Sequence, residues 1–318
     1  MTPARELPAP SRPAQRPPAR LTALAAAIGL AVTSAHPAHA AARHPARSTF
    51  HSGPDTLSFT ELGRGPVVVI LAGGPGMDAA YMRPVAQAVA RAGFRAVLLD
   101  PRGSGASQAA PVTAQTAGPT GASADLEALR LALRQPRIGL LGHSFGGAIA
   151  QAYASAHPDR VSRLILMDSV GPSFRQPPAG LDAWRARLTP DQAAAYDRAK
   201  AANDRERTIR LKFQASFDDA RKGAAFIQAL GPGRMASDSA QAIKAAFDAG
   251  YDLTGPAPGH FPVAVLAGQD DWIRAYEPAL RERYPEGRFR TIVHSGHFPW
   301  AEQPAETSAA IAWSLRQR

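Results

Sequence analysis

The sequence predicts an α/β architecture, a mostly parallel central sheet flanked by helices with a helical segment inserted between two of its strands. From Leu57 onward short apolar runs alternate with helical patterns, the arrangement that builds a parallel sheet. The runs are continuous in Val, Ile and Leu, as strands covered on both faces require. The alternation then stops between about Pro172 and Pro258 and resumes at Val263.

The expected strands are Val67 to Leu71, Ala96 to Leu99, Ile138 to Leu141, Leu164 to Met167, Val263 to Ala267 and Arg290 to Val293. Between them, Ser123 is placed to cap a helix running through Leu126, Leu129, Leu131 and Leu133, and Phe145 to His157 forms another. Within the interruption, Pro/Gly-rich edges enclose three helical patterns, around Leu181 to Lys200, Arg205 to Leu230 and Ser237 to Gly250. A helical insertion of this kind reads as a lid over the carboxyl ends of the strands, where open α/β sheets bind ligands. The expected division is therefore a core of residues 41–171 and 257–318 with a lid over 172–256.

The first forty residues differ from the rest. Arg5, Arg12, Arg16 and Arg20 precede the apolar run Leu21 to Val32, and Ala38-His39-Ala40 follows it. This is the order of a secretory signal peptide cleaved before Ala41, and the expectation is an exported, periplasmic or secreted protein. No adjacent Arg pair precedes the run, which disfavours twin-arginine export. The run is too short to span a bilayer comfortably, so no stable membrane insertion is expected once the leader is removed.

With 318 residues and 45% hydrophobic composition, the chain can bury a full core. The formal charge of +10 becomes +7 without the leader, which carries four Arg and one Glu. Its Arg residues are scattered rather than run together with aromatics, so a basic solvated surface is expected and not a nucleic-acid partner. There is no cysteine, which excludes disulfides, thiolate nucleophiles and Cys-based metal sites. Any nucleophile must be an oxygen or an amine.

Gly142-His143-Ser144-Phe145-Gly146 follows one expected strand directly and opens the helix after it. The pattern G-x-S-x-G alone is weak, but its context is specific. A serine on a tight strand-to-helix turn needs tiny neighbours, supplied by Gly142, Gly146 and Gly147, and the helix N-terminus offers N–H groups to a developing negative charge. A serine hydroxyl is a poor nucleophile until a base takes its proton. Of nine histidines, four precede the sheet, His157 sits at a helix end, His143 packs under the turn, His260 approaches a strand and His294 ends one. His297 lies on the loop past the last strand, at the sheet edge that carries Ser144, and is the expected base.

The imidazole needs a carboxylate to fix its tautomer and stabilise its charged form. Gly268-Gln269-Asp270-Asp271-Trp272 follows a strand and offers two, while Asp168, after the preceding strand, is a third. Donors for an oxyanion are expected from Ala72-Gly73-Gly74-Pro75-Gly76, namely the Gly74 N–H together with the Phe145 N–H, since Pro75 has none. Neither G-x-x-x-x-G-K-[ST] nor G-x-G-x-x-G occurs, which argues against a phosphate cradle.

At these residues the chain resembles the α/β-hydrolase superfamily, over nearly all of residues 55–318. Four features coincide in order: the Gly73 to Gly76 loop, Asp100-Pro101-Arg102-Gly103-Ser104-Gly105-Ala106-Ser107, the Ser144 turn, and Gly296-His297-Phe298-Pro299-Trp300. The resemblance implies a Ser144, Asp271, His297 triad with Asp270 as the alternative acid, and a structural part for Asp100 and Arg102 in bracing the oxyanion turn. Gly-Gly-Pro-Gly and the His-Phe-Pro-Trp ending look most like the proline iminopeptidase branch. The chain departs from that branch at Ala72 (commonly His), Pro101 (Gln) and Phe145 (often Trp), and its insertion has one Glu, Glu206, to hold a substrate ammonium. The expected activity is thus hydrolysis of a small carboxylic ester or related acyl substrate, with a proline iminopeptidase-like exopeptidase acting on short peptides as the alternative. A non-catalytic binding homologue is the reading from a different class. No metal or organic cofactor is required.

Overall fold

The computed structural model describes residues 47–317, apart from 75, 114, 115, 117, 176, 232–250 and 254. The expected leader and the helical pattern Ser237 to Gly250 lie outside the described residues. Eight strands form one sheet: β1 Arg47–Ser52, β2 Asp55–Leu62, β3 Val67–Leu71, β4 Arg95–Leu99, β5 Ile138–His143, β6 Val161–Met167, β7 Val263–Gly268 and β8 Arg288–Ile292. Their order is β1-β2-β4-β3-β5-β6-β7-β8. β1 and β2 run antiparallel, β2 is antiparallel to β4, and every later pairing is parallel.

β1 and β2 add an antiparallel hairpin edge that the apolar runs did not reveal. Their alternation is broken by polar positions such as His51 and Ser58, and Ser58 is buried only because its N–H donates to Ser107 Oγ at 2.9 Å. The six expected strands are all present, with β8 ending at Ile292 instead of Val293.

Helices α1 Arg83–Arg91, α2 Pro119–Ala132 and α3 Phe145–Ala156 pack on the sheet, followed by α4 Pro190–Ala201, α5 Arg205–Gln214 and α6 Ala220–Leu230 between β6 and β7. After β7 come α7 Glu277–Arg283, α8 Pro299–Glu302 and α9 Pro304–Leu315. Ser123 does not cap α2, because Pro119 occupies the first turn, where a missing N–H costs nothing, and Ser123 lies inside the helix. In the insertion, Leu181 to Lys200 resolves into a short turn of 3-10 helix, Ala183–Arg187, and α4, because Thr189 forms a capping box with Gln192 just before Pro190. Arg205 to Leu230 is two helices, since Asp219 accepts from Arg221 N and Lys222 N and starts α6 afresh.

Two apolar clusters sandwich the sheet. One, including Val69, Leu140, Leu166 and Tyr153, lies under α2 and α3; the other, including Ile70, Leu141, Met82 and Ile311, lies under α1 and α9. The fully buried central strands β3 and β5 fix the register on which the site is built.

Candidate active site

Five strands of the parallel part deliver residues to one edge of the sheet. β3 leads into Gly73 and Gly74, β5 into Ser144, β6 into Asp168, β7 into Asp270 and Asp271, and β8 into His297. This is the carboxyl edge, where crevices form in such sheets.

Ser144 has φ 54° and ψ −120°, a conformation in which a β-carbon is strained by about 1–3 kcal/mol. The surroundings hold it there. Ser144 N donates to Met167 O at 3.1 Å, and Ser144 O accepts from Gly147 N at 3.0 Å and from Val170 N at 3.3 Å. Any β-carbon at Gly142 would lie 2.5 Å from Gly146 O, one at Gly146 would run into the carbonyls of Leu71 and Ala72, and one at Gly147 into Ser169 Oγ. The turn can be this sharp only because all three are glycine.

His143, beside it, is buried and fixed at both ring nitrogens. Nε2 lies 2.9 Å from His297 O, and Nδ1 lies 2.8 Å from the Tyr81 hydroxyl, which also accepts from Gly73 N at 2.6 Å. A carbonyl can only accept, so Nε2 carries the proton and Tyr81 donates to Nδ1. Burial, then the neighbouring His297, pushes the His143 pKa well down, consistent with this neutral tautomer. The Gly73 N–H is thereby spent on Tyr81, which leaves Gly74, with φ 127°, as the next amide of the loop. Phe145 opens α3, so its N–H lies in the first turn of that helix.

His297 is completely buried, and its Nδ1 lies 2.8 Å from Asp271 Oδ2. Asp271 Oδ1 accepts from Ile273 N at 3.1 Å, which fixes the carboxylate. Nε2 of His297 has no hydrogen-bond partner among the described residues. Asp270, next to it, is bonded through its backbone: its N–H donates to Ser295 O at 2.9 Å, and its carbonyl accepts from Arg187 at 2.8 Å. The carboxylate that meets His297 is therefore that of Asp271.

Asp168 adjoins the pair without bonding to His297. Its Oδ1 accepts from Gly268 N at 2.7 Å, while its buried Oδ2 has no hydrogen-bond partner among the described residues. Burial, then the charge of Asp271, raises its pKa well above the ordinary carboxyl value. Asp100 ties its own loop to the 3-10 turn that follows the glycine loop, accepting from Ala79 N at 3.1 Å and Ala106 N at 3.0 Å. Arg102 instead ties the hairpin to α2, through Asp55 at 2.5 Å and Asp125 at 2.7 Å.

The His297 loop is clamped by residues that the sequence did not single out. His297 N donates to Ser216 O at 2.8 Å, and Glu302 accepts from Gly296 N at 2.6 Å, Asp218 N at 2.8 Å and Asp219 N at 2.9 Å. Glu302 stands five residues after His297 in an ordinary helical pattern, so only the fold marks it. Trp272 lies against the other side, with ring centroids 5.5 Å apart, and its Nε1 donates to Ser216 Oγ at 3.0 Å.

A family model described as alpha/beta hydrolase fold matches residues 66–304. The chain belongs to the α/β-hydrolase family. Over 261 residues it is 28% identical to a pimeloyl-[acyl-carrier protein] methyl ester esterase of Aeromonas hydrophila subsp. hydrophila, covering 79% of this chain and 96% of the relative. Another resemblance is local. The match to a 2-hydroxy-6-oxo-2,4-heptadienoate hydrolase of Pseudomonas putida, 52% identical over 52 residues, spans 16% of this chain and only 18% of that protein. Among solved structures, VinJ superposes with a TM-score of 0.64 at 21% identity, over 86% of this chain and 99% of VinJ. The proline iminopeptidase of Mycobacterium smegmatis gives 0.62 at 20% identity, over 86% and 98%. These last two likenesses speak to fold.

Proposed function

We propose that this enzyme of the α/β-hydrolase type cleaves a small carboxylic ester or related acyl substrate through an acyl-Ser144 intermediate. The observation that carries the reading is the His297 imidazole, bonded through Nδ1 to Asp271 and left with a buried, unpartnered Nε2, on a loop pinned to the residue preceding Ser144. A buried nitrogen with no partner is costly unless a reacting group supplies one.

In this reading Ser144 Oγ attacks the substrate carbonyl as its proton passes to His297 Nε2, and Asp271 holds the ring and stabilises its charged form. The Gly74 and Phe145 N–H groups receive the developing oxyanion. His297 returns the proton to the leaving oxygen as the carbonyl bond to it breaks. Water then adds to the acyl carbon as its proton passes to His297, which returns that proton to Ser144 Oγ as the acyl–oxygen bond breaks and the carboxylic acid leaves. No cofactor enters this scheme. The methyl ester esterase name of the relative matched along most of its length supports ester chemistry. The insertion between β6 and β7 acts as the lid, since its residues 216–219 touch the His297 loop.

The reading is tested by comparing p-nitrophenyl acetate, a lactone and Pro-p-nitroanilide with the wild type and Ser144→Ala. Ester turnover that collapses in the variant supports it; full turnover without Ser144 rejects it, and preference for the prolyl anilide would transfer the site to an exopeptidase. The basic leader makes export part of the same proposal, and N-terminal sequencing of secreted protein beginning at Ala41 is the outcome expected.

A further inference from the structure

Lys212 lies on α5, one residue before Phe213, whose ring centroid is 6.2 Å from that of His297. Its Nζ stands 4.0 Å above the Trp272 ring and 5.6 Å from the Trp184 ring. Trp184 is buried, and Trp272 is the side chain that flanks His297. Among the described residues this ammonium has no carboxylate in ion-pair contact and no hydrogen-bond acceptor. The nearest charge it feels is Asp271, whose oxygens are already bonded to His297 Nδ1 and Ile273 N. Burial among the rings, opposed by Asp271, draws its pKa down to about 8.

Several other cations of the insertion are placed differently. Arg185 pairs with Asp197, Arg175 with Asp252, and Arg187 and Arg210 donate to backbone carbonyls. An ammonium held between two indoles gains from their ring faces but still lacks an anionic acceptor. Lys212 is half-buried, and partly withdrawing an unpaired charge from water is unfavourable. It is nonetheless kept beside the ring that borders the base.

We propose that Lys212 binds a carboxylate at the far end of the substrate, so that this hydrolase prefers acyl esters carrying an anionic terminus over neutral or cationic ones. The proposal rests on the serine-hydrolase reading above. With the scissile carbonyl at Ser144, a terminal carboxylate supplies the acceptor that Lys212 lacks, and the indoles of Trp184 and Trp272 strengthen that pair by excluding water. A substrate ammonium would instead meet Lys212 at close range, which disfavours an aminopeptidase reading of the same site.

The test compares p-nitrophenyl hydrogen glutarate with p-nitrophenyl valerate, esters of equal acyl length with and without the terminal carboxylate, in wild type, Lys212→Met and Lys212→Glu. The ratio of their kcat/KM values should favour the glutarate in wild type and fall by roughly tenfold to a hundredfold in Lys212→Met. In Lys212→Glu, an ester of the same length ending in trimethylammonium should overtake the glutarate. A wild-type ratio near one, or an equal loss of both esters in Lys212→Met, would overturn the proposal, the latter because it would make Lys212 a structural support for Trp272. Wild-type protein that cleaves neither ester and does not label at Ser144 with a fluorophosphonate would overturn the hydrolase reading itself, and this proposal with it.

Discussion

His143 Nε2 donates to the carbonyl oxygen of His297 across 2.9 Å, so the residue preceding Ser144 directly holds the loop that carries His297. The same ring accepts from Tyr81, whose oxygen in turn accepts from Gly73 N, and one buried chain thus links the Gly73–Gly74 loop, the serine turn and the histidine loop. Tyr81→Phe removes both bonds at Tyr81 and leaves Gly73 N–H and His143 Nδ1 without partners. Buried groups left unsatisfied cost about 1–3 kcal/mol each, so a lower Tm is expected together with a fall in kcat, because the loop that holds Gly74 loses its anchor. Calorimetry and ester kinetics on the purified variant check both.

The serine turn depends on Gly146, where a β-carbon would collide with the Leu71 and Ala72 carbonyls, which are backbone and cannot swing aside. Gly146→Ala should therefore lower stability by about 2 kcal/mol or more and reduce the labelling of Ser144 by a fluorophosphonate probe. A variant with unchanged Tm and labelling would show that the turn tolerates a displacement of β3.

Asp168 and Asp271 make a second contrast. Asp168→Asn keeps an acceptor for Gly268 N and removes a carboxyl that makes no bond to His297, so it should fold and retain activity within about tenfold of wild type. Asp271→Asn forces the wrong tautomer on His297 and should cost about 10⁴-fold in kcat. Asp270→Ala should leave the His297 bond in place. Measured kcat values for the three variants decide which carboxylate stands behind the base.

Stability in acid is set in part far from the site. Glu127 accepts from Arg130 at 2.7 and 2.9 Å and from the Tyr153 hydroxyl at 2.8 Å, and it pairs with Arg160. The Arg130 bond leads in lowering its pKa from 4.5 to about 2. A depressed carboxyl stabilises the fold fully above its unfolded pKa and loses that contribution as pH falls through its folded value. The Tm difference between wild type and Glu127→Gln should accordingly be largest above pH 4.5 and close as pH approaches about 2. A gap independent of pH would mean that the bonds matter and the charge does not.

The parallel strands and the residues at their ends were legible because continuous apolar runs, glycine spacing and chain order are local signals. Ser144 and His297 could be read in this way, and Asp271 needed the family resemblance to set it apart from Asp270. The β1–β2 hairpin escaped because its burial depends on partners distant in sequence, such as Ser107 for Ser58 and Asp125 for Ser52. Glu302, Tyr81 and Lys212 escaped for a similar reason: each lies in an unremarkable helical stretch, and its significance comes from what the fold places against it. The break between α5 and α6 was hidden because both halves have helical composition, and only Asp219, as a cap, divides them.

The central claim is that Ser144 forms the acyl-enzyme. Acid quenching of protein mixed with p-nitrophenyl acetate, followed by peptide mass spectrometry, should find a single acetyl adduct on the peptide containing Ser144, formed in the burst of p-nitrophenol and absent from Ser144→Ala. Steady turnover with no adduct, or an adduct and full turnover that persist in Ser144→Ala, would contradict it.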